Sequence, residues 1–311
     1  NGRARSRLML ENSVRTAIDG QDFSMVYQPQ VAIADGRLRG FEALLRWQHP
    51  SAGDVPPGLF IPLLEETRLI NKLGSWIFEQ GAEQRSRWDE VFGAGLVLSV
   101  SVSSTQFSMP NLAAEIRRAM QRFNLKPGQL EVEITEASLV HNLVHSRNQI
   151  RHLHDIGVSV ALDDFGVGEC SLTHLRNLDI DTLKIDRHFI AGMLTSPRDT
   201  AVARSIIDLC RNLNVLVIAE GVETIEQYQW LADNGCQLIQ GFLVARPMVA
   251  EDALDFPLTF DWQAIKSGCV LYTGAFGLSV TAHARSSQIP SGLPARASGS
   301  GASADRPEQT G

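Results

Sequence analysis

Glu42, Glu133, Asp163, Asp164, Lys184 and Glu220 stand at the downstream ends of short apolar runs, and Ser101 and Gln240 end two more. A single carboxylate in such a place is more often a helix cap or an ion-pair partner. Five brought to one rim repel and raise one another's pKa unless cations sit among them. Oxygen donors without His or Cys suit Mg²⁺ or Mn²⁺ rather than zinc, and the adjacent Asp163 and Asp164 can place one carboxylate between two ions. Two such ions about 4 Å apart activate a water and steady an in-line displacement at phosphorus. Lys184 would then orient the nucleophile or neutralise developing charge.

These residues must be delivered by strands. β-rich runs fall at 25–31, 38–46, 97–102, 130–135, 158–162, 182–185, 215–219 and 238–240. Between them, 69–87, 111–122, 147–154, 200–213 and 225–233 have helical period and length. Eight βα units in about 250 residues predict an α/β chain folded as a (β/α)₈ TIM-type barrel, with function at the mouth where strands finish and branched apolar side chains filling the interior below.

Lys and Arg number 28 against 35 Asp and Glu, a net charge of −7 without blocks of like charge, which argues against a partner that is a DNA or RNA polymer. No apolar run approaches the roughly 18 residues of a membrane span, so no membrane contact is expected of this segment. Cys170, Cys210, Cys236 and Cys269 lack C-x-x-C spacing and predict reduced thiols in a cytoplasmic compartment. Leu8, Leu10, Val14 and Ile18 recur at helical spacing, which predicts a linker helix over 1–20 leading into a barrel over 21–260. Residues 261–311 are expected to form an extension, disordered from about Thr281 where Ala, Ser, Gly and Pro take over. A start at Asn1 rather than Met suggests a segment of a longer protein. His141 and His145, four apart on a helix without a third ligand, are expected at the surface, and Trp76, Trp88 and Trp230 are expected to pack.

Phe41-Glu42-Ala43-Leu44-Leu45-Arg46-Trp47 resembles the signature of the EAL-domain cyclic-di-GMP phosphodiesterases. So do Tyr27-Gln28-Pro29, Phe60-Ile61-Pro62-Leu63, Glu133-Ile134-Thr135-Glu136, Leu162-Asp163-Asp164-Phe165-Gly166, Leu183-Lys184-Ile185-Asp186, Ala219-Glu220-Gly221-Val222-Glu223-Thr224 and Gln240-Gly241-Phe242, in order, from about Leu10 to Pro257. The resemblance implies a modified barrel with an unusual first-strand direction that opens cyclic-di-GMP to linear pGpG with two Mg²⁺ or Mn²⁺ ions. It implies Glu42, Glu133, Asp163, Asp164 and Glu220 as metal ligands, Lys184 on the catalytic water, and Gln28 and Arg46 on the ligand, with Gln240 in support. It also implies a homodimer, an upstream sensory or GGDEF-type domain, and a loop after Asp164 anchored by Glu136, with Cys170 and Glu223 beside it.

Two departures bear on activity. Ser101 stands where the family carries an Asn metal ligand, and its hydroxyl is shorter and a weaker donor to Mg²⁺ than an amide carbonyl. Val167, Glu169 and Cys170 replace the family's usual Thr, Tyr and Ser. Three functions are therefore weighed, a metal-dependent phosphodiesterase, a non-catalytic cyclic-di-GMP receptor and a barrel phosphatase for some other phosphodiester. Retention of the carboxylates and lysine favours the enzyme, because a receptor has no physical need for two metals.

Overall fold

The segment from Leu130 to Thr135 alternates strictly between apolar and polar side chains yet is buried along nearly its whole length. A strand buried on both faces of an ordinary parallel sheet reads as a continuous apolar run, so the alternation means that one face meets helices and the other meets a polar interior. The computed structural model, which describes residues 2–20, 22–140, 143–166, 175 and 178–267, shows that arrangement. The strands are β1 (Phe23–Ala32), β2 (Leu38–His49), β3 (Gly53–Val55), β4 (Val97–Val102), β5 (Leu130–Thr135), β6 (Ser159–Phe165), β7 (Thr182–Ile185), β8 (Leu216–Ala219) and β9 (Leu238–Ile239). Their order, β1-β9-β8-β7-β6-β5-β4-β2-β3, is closed by pairing of β1 with β2, which makes an eight-stranded barrel with β3 as an appendage of β2.

The strand β1 is antiparallel to both neighbours while the remaining barrel pairings are parallel, the expected departure in first-strand direction. The cause is local: five residues join β1 to β2, too few for the crossover that parallel neighbours need. Gly36 turns that hairpin with a φ of 73°, and a Cβ there would run into the Trp262 ring.

The helices α1 (Gly2–Gly20), α2 (Pro57–Glu66), α3 (Ile70–Phe92), α4 (Ser104–Phe107), α5 (Leu112–Arg122), α6 (Glu136–Val140), α7 (Leu143–Asp155), α8 (Arg187–Gly192), α9 (Pro197–Leu213), α10 (Ile225–Asp233), α11 (Ala250–Thr259) and α12 (Trp262–Lys266) include every helix expected from periodicity. Their ends are chemically marked. Helix α9 opens with Ser196 capping the Asp199 N–H and Pro197 in its first turn, and closes at Asn214 in the left-handed region. The outward faces of the strands supply much of the core, with Leu98, Leu130, Val132, Ile134, Leu183 and Ile185 fully buried.

The expectation for the barrel interior is corrected. The interior is not filled with branched apolar side chains, because Ser99, Glu131, Glu133, Thr182 and Lys184 are all buried in it. The extension expected from residue 261 begins with helix α12, whose Trp262 and Ile265 are buried. A helix is present over the expected N-terminal stretch as α1, with Val14 and Ala17 buried. Trp88 is fully buried against Tyr27 and Phe41, as expected of a packing residue, and Trp230 is half-buried with Arg204 over its ring. His145 is half-buried rather than on the open surface. His141, Cys170, Cys269 and the tail from Thr281 lie outside the described residues.

Candidate functional site

Lys184 projects from β7 into the barrel and is fully buried among carboxylates from four other strands. Its Nζ lies 2.7 Å from Glu133 Oε2 on β5 and 2.7 Å from Glu220 Oε1 just past β8. Glu42 Oε2 on β2 is 3.4 Å away and Asp163 Oδ1 on β6 is 3.6 Å away. Contacts spanning non-adjacent strands place all of these groups inside the barrel. Five of the six predicted chemical residues are therefore brought together at the end where the parallel strands finish.

Asp163 and Asp164 pose a geometric difficulty, since consecutive residues of a strand face opposite sides. The chain resolves it with a register irregularity between Leu162 and Phe165 and a φ of 55° at Asp164, a sparsely populated region for a residue with a Cβ. As a result, oxygens of Asp163, Asp164 and Glu220 all come within 4.8 Å of one another. Gly166, next in line, donates its N–H to Glu136 Oε2 at 3.3 Å.

The electrostatics are those of a site short of positive charge. Burial first, then the charges of Asp163 and Glu42, push the Glu220 carboxyl up to about 8 against the attraction of Lys184. Burial and the neighbouring Glu42 and Asp163 likewise push Glu133 well above the carboxylate range, although Lys184 opposes them. Burial, Asp163 and Asp186 raise Asp164 to about 6. Burial alone would lower the Lys184 pKa, but the four surrounding carboxylates hold it well above its ordinary value. One ammonium cannot neutralise five carboxylates, and the formal balance of −4 is what two divalent cations would cancel.

The donor set fits such ions. Glu133 Oε1 is buried without a hydrogen-bond partner among the described residues, an expensive state for a carboxylate oxygen unless something else coordinates it. Asp163, Asp164 and Glu220 supply three mutually close oxygens, and all are hard donors of the kind Mg²⁺ and Mn²⁺ prefer. Ser101 lies opposite Glu133 in the β4–β5 register and is exposed at the mouth.

The remaining expected residues are placed as follows. Gln240 donates to Glu42 Oε2 at 2.5 Å and to Gln28 Oε1 at 3.1 Å. Gln28 is tied into this network, its Nε2 held on the Ala245 carbonyl at 3.1 Å. Arg46 is half-buried, with its guanidinium on the carbonyl of Leu45 at 2.9 Å. Glu223 is exposed, and the capping box of α10 is built by Thr224 and Gln227. Gln227 also receives the Glu223 N–H.

A second polar layer lies below the first and went unpredicted. Arg39 forks onto Glu131 at 2.6 and 3.1 Å, and Ser99 and Thr182 donate to the same carboxylate at 2.8 and 2.7 Å. Gln30 and Arg39 complete the layer through a 2.7 Å bond. The polar alternation of 130–135 and 97–102 is the signal that could have revealed it.

Comparison with known proteins agrees with this geometry. Residues 11–247 match the EAL domain family. The bifunctional diguanylate cyclase/cyclic di-GMP phosphodiesterase MucR of Pseudomonas aeruginosa is 38% identical over 254 residues, covering 82% of this chain and 37% of MucR. The cyclic di-GMP phosphodiesterase NbdA of the same organism is 36% identical over 246 residues, covering 79% of this chain and 31% of NbdA. The chain thus spans about a third of the length of these relatives. Among solved structures, the PaMucR phosphodiesterase in complex with c-di-GMP superposes with a TM-score of 0.76 at 38% identity, covering 79% of this chain and 99% of that one. The EAL enzyme Bd1971 in its cAMP- and cyclic-di-GMP-bound form gives 0.78 at 28% identity, covering 81% and 69%. With its polar-cored barrel, its bulged pair of aspartates and a match over most of its length, the chain belongs to the EAL-domain family.

Proposed function

We propose that this barrel hydrolyses cyclic-di-GMP to linear pGpG. The observation that carries the reading is the Lys184-centred set of Glu42, Glu133, Asp163 and Glu220, with Asp164 swung beside them, in which Glu133 keeps a buried oxygen without a partner. Relatives named as cyclic di-GMP phosphodiesterases support the substrate. Glu42, Glu133, Asp163, Asp164 and Glu220 would hold two Mg²⁺ or Mn²⁺ ions, and Ser101 would reach one of them only through water. When bound, the ions supply Lewis acidity to the attacking water and to a phosphoryl oxygen. Lys184 then gives up part of its carboxylate shell and holds the water in line with phosphorus. Water adds at phosphorus, the bond to the ribose 3′ oxygen breaks, and that oxygen leaves with a proton. Arg46, which rests on its neighbour's carbonyl, would offer a planar fork to a non-bridging phosphate oxygen, and Gln28 would meet the ligand from β1.

Purified protein incubated with cyclic-di-GMP and Mg²⁺ or Mn²⁺ should yield pGpG by chromatography. Ligand binding without turnover in either metal would replace the enzyme with the second reading, a receptor, which the Ser101 hydroxyl in place of an amide favours. On either reading a sensory or cyclase-type segment upstream, and pairing of two barrels, belong to the same proposal.

A further inference from the structure

Gln240 can serve Glu42 only if its amide points one way. Its Nε2 donates to Glu42 Oε2, while its Oε1 accepts from Gln30 Nε2 at 3.0 Å. Gln30 Oε1 in turn accepts from Arg39 at 2.7 Å. The two ends of this line differ in kind: a guanidinium can only donate, and an ionised carboxylate can only accept. The amides between them have nearly the same shape in either orientation, so the ends decide. Turning both amides over would set Gln30 Nε2 against the Arg39 donors and Gln240 Oε1 against the Glu42 carboxylate. Gln30 is fully buried and Gln240 nearly so, which leaves little access for water to repair such a mismatch.

Arg39 is itself fixed from the opposite side. Glu131 takes two of its N–H groups, and Ser99 and Thr182 complete that carboxylate. Glu42 Oε2 then has two claims on it, the Gln240 amide and Lys184 Nζ at 3.4 Å, which leaves Oε1 for a cation.

We propose that Arg39 and Gln30 are positioning residues that set the polarity of Gln240 and, through it, the placement of Glu42. The inference rests on the phosphodiesterase reading for its effect on turnover but not for its effect on the amide. Gln30→Glu separates the relay from simple packing. It keeps the size of the side chain and gives Arg39 a stronger acceptor, but it presents an oxygen to Gln240 and forces that amide to turn.

The expected result is a drop in kcat with Mn²⁺ of about 10- to 100-fold, the range for groups that orient metal ligands. KM for cyclic-di-GMP should stay near that of the parent, while the melting temperature should fall, because a second buried carboxylate joins Glu131 on the one guanidinium of Arg39. In ¹⁵N-glutamine-labelled protein, the Gln240 side-chain amide resonances should shift and exchange faster with solvent. Unmoved Gln240 resonances with parental kcat would overturn the proposal. If the parent fails to hydrolyse cyclic-di-GMP, the functional reading falls and the resonances alone decide the relay: displaced in Gln30→Glu, they support it, and unchanged, they reject it. Should Gln30→Glu not fold, Gln30→Met, which removes donor and acceptor together, is judged by the same resonances.

Discussion

Glu131 and Glu133 sit two residues apart on one strand, face the same interior and are both fully buried, yet they are held in opposite states. Burial disfavours the charge of Glu131, but the fork of Arg39 and the bonds from Thr182 and Ser99 outweigh it and lower its pKa. Burial and two neighbouring carboxylates raise that of Glu133 in spite of Lys184. The lower layer is complete by itself, with one guanidinium, one carboxylate and filled hydrogen bonds. The upper layer is complete only when positive charge arrives. Buried charge alone therefore does not mark a functional site; buried charge with an unfilled balance and an unpartnered oxygen does.

Exchanging each glutamate for its amide should split the layers most sharply. Glu133→Gln removes a proposed metal ligand, so turnover of cyclic-di-GMP should fall by at least about 100-fold, more than is lost when a group merely supports a ligand. In EDTA at pH 8 its melting temperature should rise, because one member of a repelling cluster is gone. Glu131→Gln should do the reverse to stability. Breaking a buried ion pair costs about 3–5 kcal/mol, or on the order of 10 °C in melting temperature for a domain of this size. Loss of stability in Glu133→Gln comparable to that in Glu131→Gln would erase the distinction between the layers.

The pH dependence sharpens the same contrast. Glu220 and Asp164 have folded-state values raised to about 8 and about 6, so between roughly pH 4.5 and 8 the folded protein binds more protons than the unfolded chain. Stability of the metal-free protein must then fall as pH rises through that window. Lys184, held well above its usual value, stays charged throughout and adds no slope there. Metal binding requires the ionised carboxylates, so the stabilisation by Mn²⁺ should grow over the same interval. Thermal unfolding at pH 5, 6.5 and 8, in EDTA and in Mn²⁺, should show the two curves diverging by several degrees. A metal-free melting temperature that climbs from pH 5 to pH 8 would show that the upper layer carries no uncompensated charge.

Much of the upper layer is legible in the order of residues along the chain. Strands β4, β5 and β7 have the bounds that the sequence pattern predicts, and Glu42, Glu133, Asp163 and Glu220 meet Lys184 because parallel strands of a barrel share one rim. Three things are not legible in this way. The three-residue β3 is too short to carry a period. The lower polar layer is hidden by the general rule that barrel interiors are apolar, although Glu131 and Ser99 alternate with Leu130, Val132, Leu98 and Val100. The convergence of Asp163 and Asp164 depends on one backbone angle, and adjacency in sequence by itself places them on opposite faces.

Ser101 is where the upper layer is weakest and where the smallest effect is expected. It faces the mouth opposite Glu133, exposed, so an added side-chain carbonyl meets no packed neighbour and costs the fold little. Asn extends the oxygen donor outward and replaces a hydroxyl with a carbonyl, the better ligand for a hard divalent ion. Ser101→Asn should therefore raise turnover by about 10-fold at limiting Mg²⁺, lower the Mg²⁺ concentration needed for half-maximal rate, and leave the melting temperature in EDTA unchanged. Because a metal-affinity effect fades at saturation, a gain that persists at high Mg²⁺ would mean that the amide also fixes the geometry of the ion. If turnover and metal dependence are both unaltered, Ser101 does not limit the site, and the altered sequence at Val167, Glu169 and Cys170 becomes the place to look.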